Sequence, residues 1–101
     1  MPMKNPPHPG RGLRDELDHL GLSVASAADA LGISRGQLHR VLAGTSAISP
    51  ELALRLEVVM GSTAEAWLAM QAAHDAARVR SRAGEITRGL KRIEAPAAQR
   101  G

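Results

Sequence analysis

The residues best suited to chemistry lie on one face of a short helix predicted between Ser34 and Gly44. At about 100° per residue, the apolar side chains of Leu38, Val41 and Leu42 share one side of that helix. The opposite side carries Arg35, Gly36, His39, Arg40 and Ala43, with Gln37 near its edge. An arginine can form two hydrogen bonds with O6 and N7 of guanine in the major groove, so this face could read DNA bases. For an isolated helix, a solvated basic face without a partner is the favoured alternative.

The sequence directly before this face predicts a helix-turn-helix. Ser23 is a candidate N-cap for the preceding helix, and Gly32 ends that helix because glycine adopts a positive φ without strain. Ser34 is then the N-cap of the second helix. The apolar positions of the first helix are Val24, Ala27, Ala28 and Leu31. Small alanines let the two helices approach closely and present the second one outward, so DNA binding becomes the favoured interpretation.

Three further helices complete the prediction of an all-α domain with five helices. The first helix of the chain runs from about Gly10 to about Leu20 and has leucines at positions 13, 17 and 20. The fourth opens at Ser49 with a proline and a glutamate in its first turn, and its expected buried stripe is Leu52, Leu56, Val59 and Met60. The fifth starts at Ser62 or Thr63, and its expected stripe is Trp67, Met70, His74 and Ala77.

The composition fits a small helical protein with an anionic partner. The chain has 101 residues, no Phe or Tyr and a single Trp, which favours helices packed through aliphatic side chains. Its net charge is +3 and its pI is about 10.6. Without cysteine there is neither a disulfide nor a Cys-based zinc site. Because it lacks both a run of about 18 apolar residues and the apolar centre of a signal peptide, we expect a soluble, cytoplasmic protein with no membrane partner.

Catalysis and metal binding are not expected. The four histidines, His8, His19, His39 and His74, fall on different predicted elements and lack the spacing of metal ligands. The sequence contains neither a Ser-His-Asp arrangement nor a glycine-rich phosphate loop, and a small helical bundle offers little cleft. We therefore predict a protein that is not an enzyme and uses no cofactor. Trp67 is expected in the core or at a dimer interface.

The composition also predicts how the chain is divided. Residues 1–9 contain four prolines and form a predicted extended arm, and residues 10–78 form the DNA-binding and dimerisation domain. Residues 79–101 form a basic, weakly structured tail. From Arg78 onwards the sequence contains seven Lys and Arg residues but only two Glu residues, a local excess of five positive charges. This tail could solubilise the protein, contact a partner protein or contact phosphate.

Four stretches carry a resemblance to a known family. They are the Pro-His-Pro-Gly run at 7–10, LGISRGQLHRVLAG, ISPELALRLEVVMG and TAEAWLAMQAAHD. Together they resemble the HigA-type antitoxins of type II toxin–antitoxin systems, within the Cro/C1-type (XRE) helix-turn-helix family. The resemblance runs from about Asn5 to Asp75. It implies a lambda-repressor-like DNA-binding domain, followed here by the basic C-terminal extension.

The resemblance implies a homodimeric repressor of its own operon. Such proteins bind an inverted-repeat operator in double-stranded DNA and neutralise a RelE-like (HigB-type) mRNA endonuclease toxin. The DNA-binding residues it implies, together with the helix N-caps, are Ser23, Ser34, Arg35, Gly36, Gln37, His39, Arg40, Thr45 and Ser46. The expected dimer-interface residues are Trp67, Leu68, Met70 and His74.

Three departures from the family pattern leave the operator sequence open. Arg11-Gly12 stands where the family usually has an acid and an aliphatic residue, Gly36 replaces a longer polar side chain, and Ala43 replaces a common Asn. Gly36 therefore removes one base contact. Two alternatives to the antitoxin function stay open: a stand-alone XRE-family repressor without a toxin, and a protein-interaction module that no longer binds DNA.

Overall fold

The computed structural model describes residues 6–94, which form helices and no strand. The helices are α1 (Pro9–Leu20), α2 (Val24–Leu31), α3 (Arg35–Leu42), α4 (Pro50–Met60), α5 (Ala64–Arg80) and α6 (Ala83–Ile86). The predicted all-α fold and its five helices are confirmed, and α6 is an additional short helix. Over the part of the chain described, none of these helices is long and apolar enough to cross a membrane.

Side-chain caps begin each of the first five helices. The predicted caps Ser23, Ser34 and Ser49 each accept a hydrogen bond from a backbone N–H of the following turn. Thr63, rather than Ser62, caps α5. Gly32 ends α2 with a φ of 70°, in the left-handed region that favours glycine. Local sequence therefore fixes where these helices begin.

The predicted division of the chain places Pro9 in the extended arm of residues 1–9, but Pro9 is the first residue of α1. Proline fits the first helical position, since the backbone N–H that proline lacks would have no acceptor within the helix there. His8 is the N-cap of α1, and its side chain accepts a hydrogen bond from Gly10 N–H. Residues 1–5 lie outside the described part of the chain.

Aliphatic side chains from α1 to α4, together with Trp67 of α5, form a single core. Leu13, Leu38, Ala53 and Leu56 have no exposed surface. The remaining buried apolar residues are Leu17, Ala27, Ala28, Leu31, Val41, Leu42, Ile48, Leu52 and Trp67. The side of α3 that packs into the core is therefore the predicted one, with Leu38, Val41 and Leu42. Because this side is buried, the opposite side of α3 faces solvent.

Two residues of the predicted buried stripes point outward instead. Val59 is 37% exposed and Met70 is 41% exposed. Ala53 of α4 and Gln71 of α5 take inward positions. Gln71 lies nearer than Met70 to the centre of the buried side of α5, and its amide is satisfied there by the backbone N–H of Ile48 at 2.8 Å.

Beyond the core, α5 continues to Arg80, and every residue from 78 to 94 is exposed. The short α6 has no side-chain cap and no buried residue. We call residues 9–77 the head and residues 78–94 the arm. This arm is distinct from the predicted N-terminal arm of residues 1–9. The assignment of 79–101 as a separate basic tail stays a prediction, and residues 95–101 lie outside the described part.

Candidate nucleic-acid interface

The outward side of α3 is accessible along its whole length. Arg35, Gly36, His39, Arg40 and Ala43 are exposed, and Gln37 is half-buried. Leu38 and Val41, on the inward side, are at most 1% exposed. The structure thus brings the predicted base-reading residues together on one surface.

The N-terminus of α3 presents backbone amides to solvent. Ser34 Oγ accepts a hydrogen bond from Gln37 N–H at 3.0 Å, and Ser34 itself is exposed. The N–H groups of Arg35 and Gly36 have no acceptor within the helix, because the first turn of any helix leaves its amides unpaired. Such amides, together with the positive end of the helix dipole, suit a phosphate. Ser23 caps α2 in the same way at 3.1 Å from Ser26 N–H.

The side chain of Arg40 lies beside Gly36. A Cβ built at Gly36 would lie 3.5 Å from Arg40 Nη1 and 4.0 Å from Ser34 Oγ. The guanidinium of Arg40 therefore lies back toward the N-terminus of α3, beside the exposed amides. Two kinds of donor, a guanidinium and unpaired amides, meet on a surface a few ångströms wide.

The loop after α3 turns its donors inward. Thr45 N–H and Ser46 N–H both donate to the carbonyl of Arg40, at 2.9 and 3.2 Å. The hydroxyl of Thr45 donates to the same carbonyl at 3.1 Å. Thr45 therefore closes the C-terminal end of α3, and the predicted phosphate contact would require its hydroxyl to rotate. The Ser46 hydroxyl forms no hydrogen bond within residues 6–94 and stays available.

Arg55 braces the helix-turn-helix from α4, which the sequence did not predict. Its Nη1 donates to the carbonyl of Leu31 at 2.9 Å, and its Nη2 donates to Glu51 at 2.9 Å. A Cβ at Gly32 would lie 2.7 Å from Arg55 Nη1, the end of a flexible side chain that can move aside, so this turn needs glycine for its positive φ rather than for space. The spacing of Glu51 and Arg55 by four residues on one helix was the available signal.

The four residues predicted for the dimer interface do not form one patch. Trp67 is 7% exposed and belongs to the core of the single chain, one of the two places predicted for it, and its assignment to the dimer interface stays a prediction. His74 is half-buried, and its Nδ1 lies 3.0 Å from the carbonyl oxygen of Pro6. Leu68 is half-buried and Met70 is exposed, about 160° apart around α5.

Within residues 6–94, no three His, Cys, Asp or Glu side chains lie close enough together to hold an ion. The features that do converge are a capped helix N-terminus, exposed arginines and a braced turn. These features define a helix-turn-helix protein.

Comparison with known proteins gives the family. A helix-turn-helix family model matches residues 13–68, more than half of the chain. An HTH-type transcriptional regulator of Escherichia coli, YddM, is 39% identical over 71 residues, covering 70% of this chain and 76% of the relative.

Solved structures of the same size also match. An addiction module antidote protein of the HigA family from Coxiella burnetii superposes with a TM-score of 0.81 at 31% identity. That match covers 89% of this chain and 99% of the other. The antitoxin HigA of Pseudomonas aeruginosa, solved with the higBA promoter, has a TM-score of 0.79 at 27% identity, covering 89% and 100%. The chain therefore belongs to the helix-turn-helix family and, within it, to the HigA-type antitoxins.

Proposed function

We propose that this protein is an antitoxin that neutralises a RelE-like (HigB-type) mRNA endonuclease and represses its own operon. It acts on DNA as a homodimer that binds an inverted repeat of operator sequence. One observation carries the DNA-binding part: the exposed N-terminus of α3, where Ser34 caps the helix and Arg40 lies over Gly36. The Pseudomonas aeruginosa HigA structure with promoter DNA supports the same use of the fold.

In this proposal the surface divides into two kinds of contact. Arg35 and Arg40 read base edges in the major groove, because both are exposed on the outward side of α3. The unpaired backbone amides in the first turns of α2 and α3, next to the caps Ser23 and Ser34, bind phosphate and fix the register of the protein on the duplex. The hydroxyl of Ser46 adds a further phosphate contact, whereas Thr45 holds the loop in place.

A homodimer follows from how an inverted repeat is read. In this proposal α3 is the recognition helix. The two copies of α3 must lie about 34 Å apart to enter successive major grooves on one side of the duplex. We place the dimer contact on α4 and α5, on the side of α5 that carries Met70 and His74, which lie about 40° apart around the helix and keep accessible surface. Leu54 and Val58, one turn apart on α4, are also exposed and offer further apolar surface.

Replacing Arg40 tests the DNA-reading surface. For Arg40→Ala we expect a loss of about 1–3 kcal/mol per half-site on operator DNA, because a bidentate base contact disappears. On scrambled DNA the loss is smaller. Binding titrations of both variants and both DNAs measure the difference, and Arg14→Ala, an exposed arginine of α1, is the matched control. Equal losses on both DNAs for Arg40→Ala would mean that Arg40 contacts phosphate only.

Toxin neutralisation needs a separate experiment. Co-expression with the RelE-like gene product encoded beside this chain should rescue growth, and the two proteins should co-purify. We further propose that toxin binding does not require α3, so the double variant Arg35→Ala/Arg40→Ala should rescue equally well.

The second candidate is a stand-alone repressor without a toxin. The similarity to the regulator YddM favours it, since that relative is described as a transcriptional regulator. Operator binding without rescue or co-purification would select this second candidate.

A further inference from the structure

The His-Pro-Gly segment at residues 8–10 lies directly against the end of the recognition helix. A Cβ added to Gly10 would lie 2.0 Å from the carbonyl oxygen of Val41, in the last turn of α3. No side chain fits in that space, so the backbone of α1 packs against the backbone of α3 there. The position of the first turn of α1 therefore sets the position of the C-terminal end of α3.

His8 joins this contact to the loop that follows α3. Its Nδ1 accepts a hydrogen bond from Gly10 N–H at 2.9 Å, which caps α1. Its Cγ lies 3.7 Å from the place of a Cβ at Gly44, the residue before Thr45 and Ser46. The ring of His74 meets it edge-on, with 5.0 Å between ring centroids. One imidazole thus contacts the start of α1, the loop after α3 and the middle of α5.

The cap works only with a neutral ring. An imidazole accepts a hydrogen bond at Nδ1 through a lone pair, and that lone pair is lost when the ring binds a second proton. Protonation would also place a positive charge at the N-terminus of α1, where the helix dipole already presents positive charge.

The surroundings of His8 favour the neutral ring. Burial and the neighbouring His74 lower the pKa of His8, and Arg78 acts in the same direction. Asp75 and the backbone carbonyl of Ser46 raise that pKa, but the net direction is downward. Arg11 lines the same hollow beside Gly44 and adds a further cation.

We propose that His8 is a positioning residue for DNA binding: its neutral ring holds the end of α3 and the 44–46 loop in the conformation that meets phosphate. This inference rests on the proposed operator binding and adds its regulation by pH. Protonation of His8 releases the cap, shifts the loop and weakens the contact to DNA.

The sign follows from the lowered pKa. The stabilising contribution of the neutral ring is complete above the ordinary histidine pKa of about 6.5. It is lost as the pH falls below that value and through the lower pKa of the folded protein. DNA affinity therefore decreases on the acid side, the opposite of what added positive charge alone would produce.

Operator titrations at about pH 7.5 and about pH 5.5 test the inference with three proteins, because histidine changes charge in this range. They are the wild type, His8→Asn and the control His19→Asn. Asparagine is a good N-cap that does not titrate, so it preserves the acceptor at both pH values. We expect the wild type and His19→Asn to lose about fivefold more affinity than His8→Asn on acidification, the equivalent of one lost cap. His39 on α3 is present in all three proteins, so any effect of that residue is common to them.

A second measurement does not require DNA. The backbone amide resonances of Thr45 and Ser46 should shift with the protonation of His8 in the wild type and stay constant in His8→Asn. Equal pH dependence of affinity in wild type and His8→Asn, or amide shifts that survive in His8→Asn, would overturn the positioning role. Failure of the wild type to bind operator at about pH 7.5 would instead count against the proposed function, and the amide titration would still decide the role of His8.

Discussion

The head and the arm use similar residues and reach different outcomes. In the head, each helix from α1 to α5 begins with a side-chain cap and buries an apolar face. In the arm, α6 lacks a side-chain cap, and Ile86, Leu90 and Ile93 are 45, 71 and 93% exposed. The comparison shows that apolar residues at roughly helical spacing are not sufficient to form a packed helix. A helix in water gains most of its stability from packing against neighbouring elements.

Charge separates the two regions as well. The described arm carries Arg78, Arg80, Arg82, Arg88, Lys91 and Arg92 against Glu85 and Glu94. Its ion pair, Arg82 with Glu85 at 3.2 Å, is exposed on both sides and contributes little. The head is held by aliphatic packing, whereas the arm offers exposed positive charge to an anion. Stability should therefore depend on the head, and salt-dependent DNA affinity should depend on the arm.

The largest expected effect on stability comes from replacing a leucine with alanine in the head, compared with the same replacement in the arm. Leu56→Ala in the head should lower the free energy of unfolding by about 2–5 kcal/mol, because Leu56 is fully buried and a cavity remains. Leu90→Ala in the arm should change it by less than about 0.5 kcal/mol. Urea unfolding followed by circular dichroism measures both. Similar losses for the two variants would show that the arm also packs into a core.

The sequence predicted what depends on near neighbours. Ser23, Ser34 and Ser49 each cap a helix through an amide three residues away, so a local pattern was enough. The outward side of α3 followed from helical periodicity in the same way. These two signals account for where the helices begin and for which side of α3 faces outward.

Contacts between distant residues were not predictable from those patterns. Gln71 binds Ile48 across 23 residues and Arg55 binds Leu31 across 24, and nothing in the local spacing requires either pair. The cap formed by His8 was missed because histidine is not among the preferred caps, although Pro9 directly after it was a usable signal. Outward Val59 and Met70 were missed because an apolar stripe does not show how far along a helix the neighbouring helices reach.

The next effect in size concerns Gln71, which links the buried side of α5 to Ile48 in the loop before α4. Gln71→Leu removes the acceptor for Ile48 N–H and leaves a buried donor unpaired, so we expect a loss of about 1–3 kcal/mol in unfolding free energy. Asp75→Ala is the matched control, because it removes the other partner of Gln71, at 2.9 Å, and leaves the Ile48 bond intact. A loss as large in Asp75→Ala would place the stabilisation in the polar pair of α5 rather than in the link to Ile48.

The smallest expected effect on stability comes from removing the arm. A chain that ends at Arg78 keeps every apolar residue that is buried within residues 6–94, so its unfolding free energy should stay within about 0.5 kcal/mol of the full chain. Its affinity for DNA should fall mainly at low salt, because the arm contributes screened contacts to phosphate and the released counterions scale with its charge.

Loss of charge must be separated from loss of chain in that experiment. The full-length variant Arg88→Gln/Lys91→Gln/Arg92→Gln keeps the backbone of the arm and removes three of its positive charges. If the arm acts through charge, this variant and the truncation both reduce the slope of log affinity against log salt, by roughly 0.9 for each phosphate that is no longer neutralised. If only the truncation weakens binding, and does so equally at low and high salt, the arm contributes through its apolar residues, which places it at the dimer contact. The division between a packed head and a charged arm would then be wrong, since the exposed Ile86 and Leu90 would be covered by the second protomer.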